Sequence, residues 1–315
     1  MLLKFCINYV TLLFLCSRVK PLKSIANLAL STASVLYMSV LVFTLIILIG
    51  SYFAGLLGSL TGLGGGFVII PLLTLLLHVD IHYAIGASLV SVIATSSGSA
   101  AAYVREGITN IRLGMFLEIA TTAGAMTGAI LAVYIPTHYI AILLGVILIF
   151  SAVMSLRKKS EQIVKHKNQW AEKLKLNSSY PTAQGTVNYS VTKVGGGFFM
   201  MLFAGVLSGL LGVGSGALKV LAMDTIMRIP FKVSTTTSNF MIGVTAAASA
   251  VVYLQRGYID PGISMPVVIG VLLGALSGSK ILVHTQSSGW LRWVFAIVVA
   301  FLASQMIYNG IIGKI

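Results

Sequence analysis

Long apolar runs separated by short polar turns pattern this chain, and they do not alternate apolar with polar positions as barrel strands would. At helical spacing the runs predict membrane helices over about 35–60, 84–104, 113–134, 139–156, 194–211, 233–254, 263–283 and 291–308. Most approach or exceed the roughly 20 residues that cross a bilayer. Two further runs, 67–77 and 217–227, are too short to cross comfortably by helical rise alone. Each follows a cluster of helix breakers: Gly62-Leu63-Gly64-Gly65-Gly66 before the first, Gly212-Val213-Gly214-Ser215-Gly216 before the second.

The two clusters lie 150 residues apart, and the register extends well beyond them. Ser88, Thr95, Ser99, Tyr103, Gly107, Gly124 and Gly128 match Ser238, Thr245, Ser249, Tyr253, Gly257, Gly274 and Gly278 without a gap. Chance apolar similarity would match Leu and Val, whereas Gly, Ser, Thr and Tyr carry this repeat. The expected fold is therefore an all-α polytopic membrane protein. Two homologous helical repeats, inverted with respect to each other, carry broken or short helices at the glycine motifs. The first repeat spans 38–156 and the second 194–315. Residues 1–37 form an N-terminal extension, either an extra membrane helix or a segment ahead of a later start at Met38. Arg256 and the basic residues Arg18 to Lys23 fall on the wrong side for a simple inverted arrangement.

Composition strengthens the membrane reading. Only 9% of the 315 residues are charged and 57% are hydrophobic, too few charges to cover a globular surface. The net charge of +14 does not point to nucleic acid, because eight of the 21 Lys and Arg lie in 157–193 beside only Glu161 and Glu172. A basic loop between apolar spans follows the positive-inside rule, which makes 157–193 cytoplasmic and brings it near anionic lipid. Within it, Ile163, Trp170 and Leu174 suggest a short interfacial helix, and 177–190 reads as linker. Cys6 and Cys16 have no metal or redox spacing. No nucleophile, paired-carboxylate or metal constellation marks an enzyme, and no cofactor motif is present.

The candidate chemistry sits at the breaks. Backbone freed at membrane depth is tolerated only where protein or a wet cavity receives it. Glycine there lets the chain turn and a ligand approach, and N–H groups opening the following helix favour an anion. Two facing breaks would thus bind a small anion through Gly64, Gly65, Gly66, Gly214, Ser215 and Gly216. Small-residue helix packing is the competing reading, and the preferred one for Gly124/Gly128 and Gly274/Gly278. Lys219 is a lone cation within an apolar segment: either the counter-charge for the anion or a residue snorkelling to the interface. Ser88, Ser238 and Asn239 offer uncharged donors to an oxyanion, or bond between helices. Glu118 either titrates as a proton-coupling group or pairs with Arg105 or Arg112. Asp224 is a second proton-coupling candidate, for which pairing with Arg228 four residues on is the simpler account.

The motif Gly55-x-x-Gly58-x-x-x-Gly62-x-Gly64-Gly65-Gly66-x-x-x-x-Pro71 resembles the TauE/SafE family. So do Ala84-x-Gly86-x-Ser88-Leu89, Gly205-x-x-Ser208-Gly209-x-x-Gly212-x-Gly214-Ser215-Gly216, and Thr237-Ser238-Asn239-Phe240. The resemblance covers Met38 to the C-terminus. It implies a permease of the cell (inner) membrane for sulfite, sulfonates or related organosulfur anions. Two departures, Ser215 for a usual glycine and Leu221 for an expected proline, predict a milder second break. The expected function is a secondary transporter exporting small sulfur-containing anions. An anion channel or a permease for another small anion is the alternative. The partners are the anion and membrane lipid, without nucleic acid, and a homodimer stays open.

Overall fold

The computed structural model describes residues 40–58, 65–156, 169–182, 185–284 and 289–313. Cys6, Cys16, Gly62, Gly64 and Ile163 lie outside the described residues. The chain divides into two compact units, Met1–Ile46 and Ile47–Ile315. Of the first, residues 40–46 are described and are helical; all packing below lies within the second.

The first repeat contains α1 (Val40–Gly58), short α2 (Gly66–Pro71), α3 (Ile81–Arg105), α4 (Ile111–Ala132) and α5 (Thr137–Leu156). The second contains α7 (Val194–Leu211), short α8 (Gly216–Leu221), α9 (Phe231–Gln255), α10 (Pro261–His284) and α11 (Gly289–Ile312). Among the described residues six helices are long and apolar enough to cross a membrane: α1, α3, α4, α5, α7 and α9. Large apolar side chains such as Phe199, Met115, Ile119 and Phe301 point outward, as a lipid-facing surface requires.

The 150-residue register is visible in the backbone. Each short helix passes directly into a wide π-helical turn, Leu72–Leu76 after α2 and Ala222–Ile226 after α8. Each turn is followed by a left-handed residue, His78 at φ 51° and Arg228 at φ 53°. Pro71 closes α2, yet Leu221 closes α8 at the same point. The missing proline therefore does not alter the second copy.

Contacts between the halves are exchanged in the same register. A Cβ on Gly205 would strike the Thr121 carbonyl, and one on Gly55 the Val271 carbonyl. A Cβ on Gly124 would strike the Leu202 carbonyl, and one on Gly274 the Tyr52 carbonyl. Each second contact is the first with one residue moved up 150 positions and the other down 150. Such reciprocal pairing is the mark of a two-fold arrangement, here within one chain. These glycines serve close helix packing. The central layer is α3 against α9, flanked by α9 on α4 and α10 on α3.

A short helix forms where the interfacial helix is expected, and the segment read as linker holds a β-hairpin. Gln169–Lys173 forms the short helix α6, and Ser178–Thr182 (β1) pairs antiparallel with Gly185–Tyr189 (β2). Ala171, Leu176, Tyr180 and Tyr189 are buried against Leu113, Leu117, Met223 and Met227. Asn110 ties this cap down. Its Oδ1 accepts from the Leu113 amide as the N-cap of α4, while its Nδ2 donates to the Leu176 carbonyl and the Tyr189 hydroxyl, both at 2.9 Å. Burial pushes the Tyr189 phenol up to about 12, so it remains neutral at physiological pH. Asn110→Ala should cost about 1–2 kcal/mol from the lost cap. Limited proteolysis should show faster cleavage near Gly185; unchanged cleavage would remove Asn110 as the anchor.

Candidate functional site

The second glycine break is sharp. Gly212, Gly214 and Ser215 have φ of 66°, 75° and 45°, so three of four consecutive residues are left-handed. The milder turn expected from Ser215 is not what forms: the serine adopts the glycine-like conformation itself, a strain of roughly 1–2 kcal/mol. Its side chain is buried and its Oγ has no hydrogen-bond partner.

The start of α2 meets the second break. A Cβ on Gly66 would press on Ser88 Oγ and Val92, with the Val213 Cα at 3.7 Å. Ser88, from the first half, donates to the Gly212 carbonyl at 2.9 Å. Ser238 donates to the Gly216 carbonyl at 3.3 Å. The Ser88 proton is thus committed to the carbonyl of Gly212 at the break, and the Ser238 proton to that of Gly216, the first residue of α8. Ser88 and Ser238 act first as struts of the turn rather than as free donors, which answers where that backbone's hydrogen bonds go. Asn239 is buried beside Ser238 on α9, Gly65 precedes α2 with ordinary helical geometry, and Gly64 lies outside the described residues.

Lys219 occupies α8, one turn into the helix that the break begins, and its side chain is fully buried. It does not snorkel. Its Nζ donates to Thr245 Oγ1 on α9 at 2.5 Å, and that oxygen lies 2.6 Å from Glu118 Oε1 on α4. Thr122 also donates to Oε1, at 3.1 Å. Glu118 is nine-tenths buried and its Oε2 has no partner. Among the described side chains the partners of Glu118 are two threonines and, through one of them, Lys219; Arg112 is exposed, and the Arg105 side chain lies outside the description. Lys219 Nζ and Glu118 Oε1 share one hydroxyl across the junction of the halves, in a buried setting where an unpaired charge would be costly.

Asp224 lies half-buried in the π-helical turn after α8. His82 spends both ring nitrogens on Asp80, at 3.1 Å, and the Ala132 carbonyl, at 3.2 Å, and stacks on Tyr258. Among the described residues no group of three or more His, Cys, Asp or Glu could hold a metal ion. Sequence reasoning does not single out Thr245 or Thr122 as site residues. The match of Thr95 to Thr245 in the repeat is the available signal for the first.

The sequence profile of the family described as "Sulfite exporter TauE/SafE" matches residues 46–306. The chain is 29% identical over 277 residues to "Probable membrane transporter protein YunE" of Bacillus subtilis (strain 168), covering 85% of this chain and 98% of that one. It is 28% identical over 236 residues to "Probable membrane transporter protein YdhB" of the same organism, covering 75% of this chain and 89% of the relative. A "Probable membrane transporter protein" of Xylella fastidiosa (strain 9a5c) is 24% identical over 272 residues, covering 85% of this chain and 96% of that one. No solved structure matches. The match runs through both repeats and both breaks, and the chain belongs to the TauE/SafE family as a multi-pass membrane transporter.

Proposed function

We propose that the protein is a secondary transporter that exports small sulfur-containing anions, such as sulfite or a sulfonate, across the cell membrane. The anion binds where the two glycine breaks meet. Lys219 is its counter-charge, and Ser215 Oγ with the backbone of Gly214 to Gly216 are its neutral donors. The observation that carries this reading is a fully buried lysine beside a strained break, next to a serine hydroxyl without a partner. A buried cation at membrane depth is a functional feature by default. In the same reading the halves insert with opposite orientation and rock about this junction, and the basic loop 157–193 faces the cytoplasm.

Thermal unfolding of the purified protein tests substrate class. A ligand at about 100 times its Kd stabilises the folded state by about 2.7 kcal/mol. Sulfite, thiosulfate, taurine or sulfoacetate should raise the midpoint, whereas chloride at equal ionic strength should not. A shift with chloride alone would overturn the sulfur-anion assignment. Single-channel currents in a planar bilayer would replace the carrier by a channel.

A further inference from the structure

The hydrogen-bond arithmetic at Thr245 is unusual. Its Oγ1 accepts from Lys219 and lies within donating distance of two acceptors, Glu118 Oε1 at 2.6 Å and the Met241 carbonyl at 2.8 Å. A threonine hydroxyl has one proton. When Glu118 is a carboxylate, that proton goes to Oε1. When Glu118 is a carboxylic acid, Oε1 can carry the proton and donate to Oγ1, which then turns its own proton to Met241. Both states are satisfied by rotating one hydroxyl, without moving a heavy atom. The free Oε2 leaves the carboxyl a second position for a proton.

The repeat adds an independent observation. The residues related to Lys219, Thr245 and Glu118 by the 150-residue register are Ile69, Thr95 and Val268. The threonine is kept in both halves, but the cation and the carboxylate are absent together from the other copy. They behave as one unit, present once per chain.

Among the described residues of the helices packed on α4, no other ionisable group competes for Glu118. Helix α7 carries none, and α9 carries only Lys232 in its first turn and Tyr253 in its last. On α4 itself Arg112 is exposed. Lys219 is the charge that Glu118 meets.

We propose that Glu118 is the coupling residue: it neutralises Lys219 when the site is empty and takes up a proton when a substrate anion claims that ammonium. This inference rests on the transport function proposed above. The charges balance at each step. Ammonium and carboxylate sum to zero in the empty site; ammonium, anion and carboxylic acid sum to zero in the loaded one. One proton therefore travels with each monovalent anion, in the same direction, and the carrier step moves no net charge. Export then runs on the anion's own gradient and is opposed by an inward proton gradient.

The test uses the full chain in proteoliposomes with methanesulfonate, whose charge is fixed, and sulfite as probes. Anion flux and internal pH are followed together, with and without a potassium diffusion potential. The wild type should move one proton per methanesulfonate at a rate independent of the potential. Glu118→Gln should still move the anion, but without protons and with a rate that follows the potential. Methanesulfonate flux without proton movement in the wild type would overturn the inference, and that measurement decides even if Glu118→Gln fails to assemble. Proton movement retained in a folded Glu118→Gln would overturn it too. No wild-type flux of either probe would overturn the transport reading itself and this inference with it.

Discussion

Lys219→Met should destabilise the purified protein by about 3–5 kcal/mol at a pH that keeps Glu118 ionised, because it leaves that carboxylate buried without its charge partner, and by less at a lower pH where Glu118 takes up a proton. The double substitution Lys219→Met with Glu118→Gln should recover most of that loss. Removing both charges of a buried pair leaves no uncompensated charge behind, and the Gln amide keeps a carbonyl oxygen to accept from Thr245 and Thr122. Thermal unfolding of the wild type, both single variants and the double variant gives the coupling energy directly. Additive single losses would mean that the two charges do not sense each other through Thr245. Recovery in the double variant also supplies a folded protein that has lost the counter-charge, which separates assembly from transport.

The α4–α7 contact carries the second large effect. A Cβ on Gly209 would overlap the Ala125 carbonyl, and one on Gly128 the Val206 carbonyl. Gly209→Leu should therefore force the helices apart and cost about 3 kcal/mol or more. Size-exclusion profiles after detergent extraction should show loss of the monodisperse peak. A Cβ on Gly98 would meet nothing within 4 Å, so Gly98→Ala should change little. A Gly209→Leu protein as stable as wild type would mean that this interface does not hold the halves together.

Much of the architecture is legible in the sequence because membrane helices announce themselves by length and composition. The span predicted over 194–211 matches α7 to the residue, and the register of 150 predicts which elements are structural twins. Lys219 is legible as a misfit in its segment. Its partner is not: Glu118 sits in the other half, and nothing local in either stretch points to the other. The hydroxyl that joins them is found only from the packing of α4, α8 and α9.

The severity of the second break escapes the sequence for a different reason. Serine in place of glycine suggests an easier turn, but the surrounding helices impose the left-handed conformation, and local preference gives way to tertiary packing. The β1–β2 hairpin is hidden in a polar segment with weak alternation. It is ordered by Tyr180 and Tyr189 against the core and by Asn110, rather than by strand propensity.

The central claim is that a small sulfur anion crosses at the junction of the two breaks with Lys219 as its counter-charge. Radiolabelled sulfite flux into proteoliposomes, compared between the wild type and the folded Lys219→Met, Glu118→Gln double variant, tests it most directly. The account predicts saturable flux for the wild type and, for the double variant, a rate no greater than that of empty liposomes. A double variant that carries sulfite at the wild-type rate would contradict it.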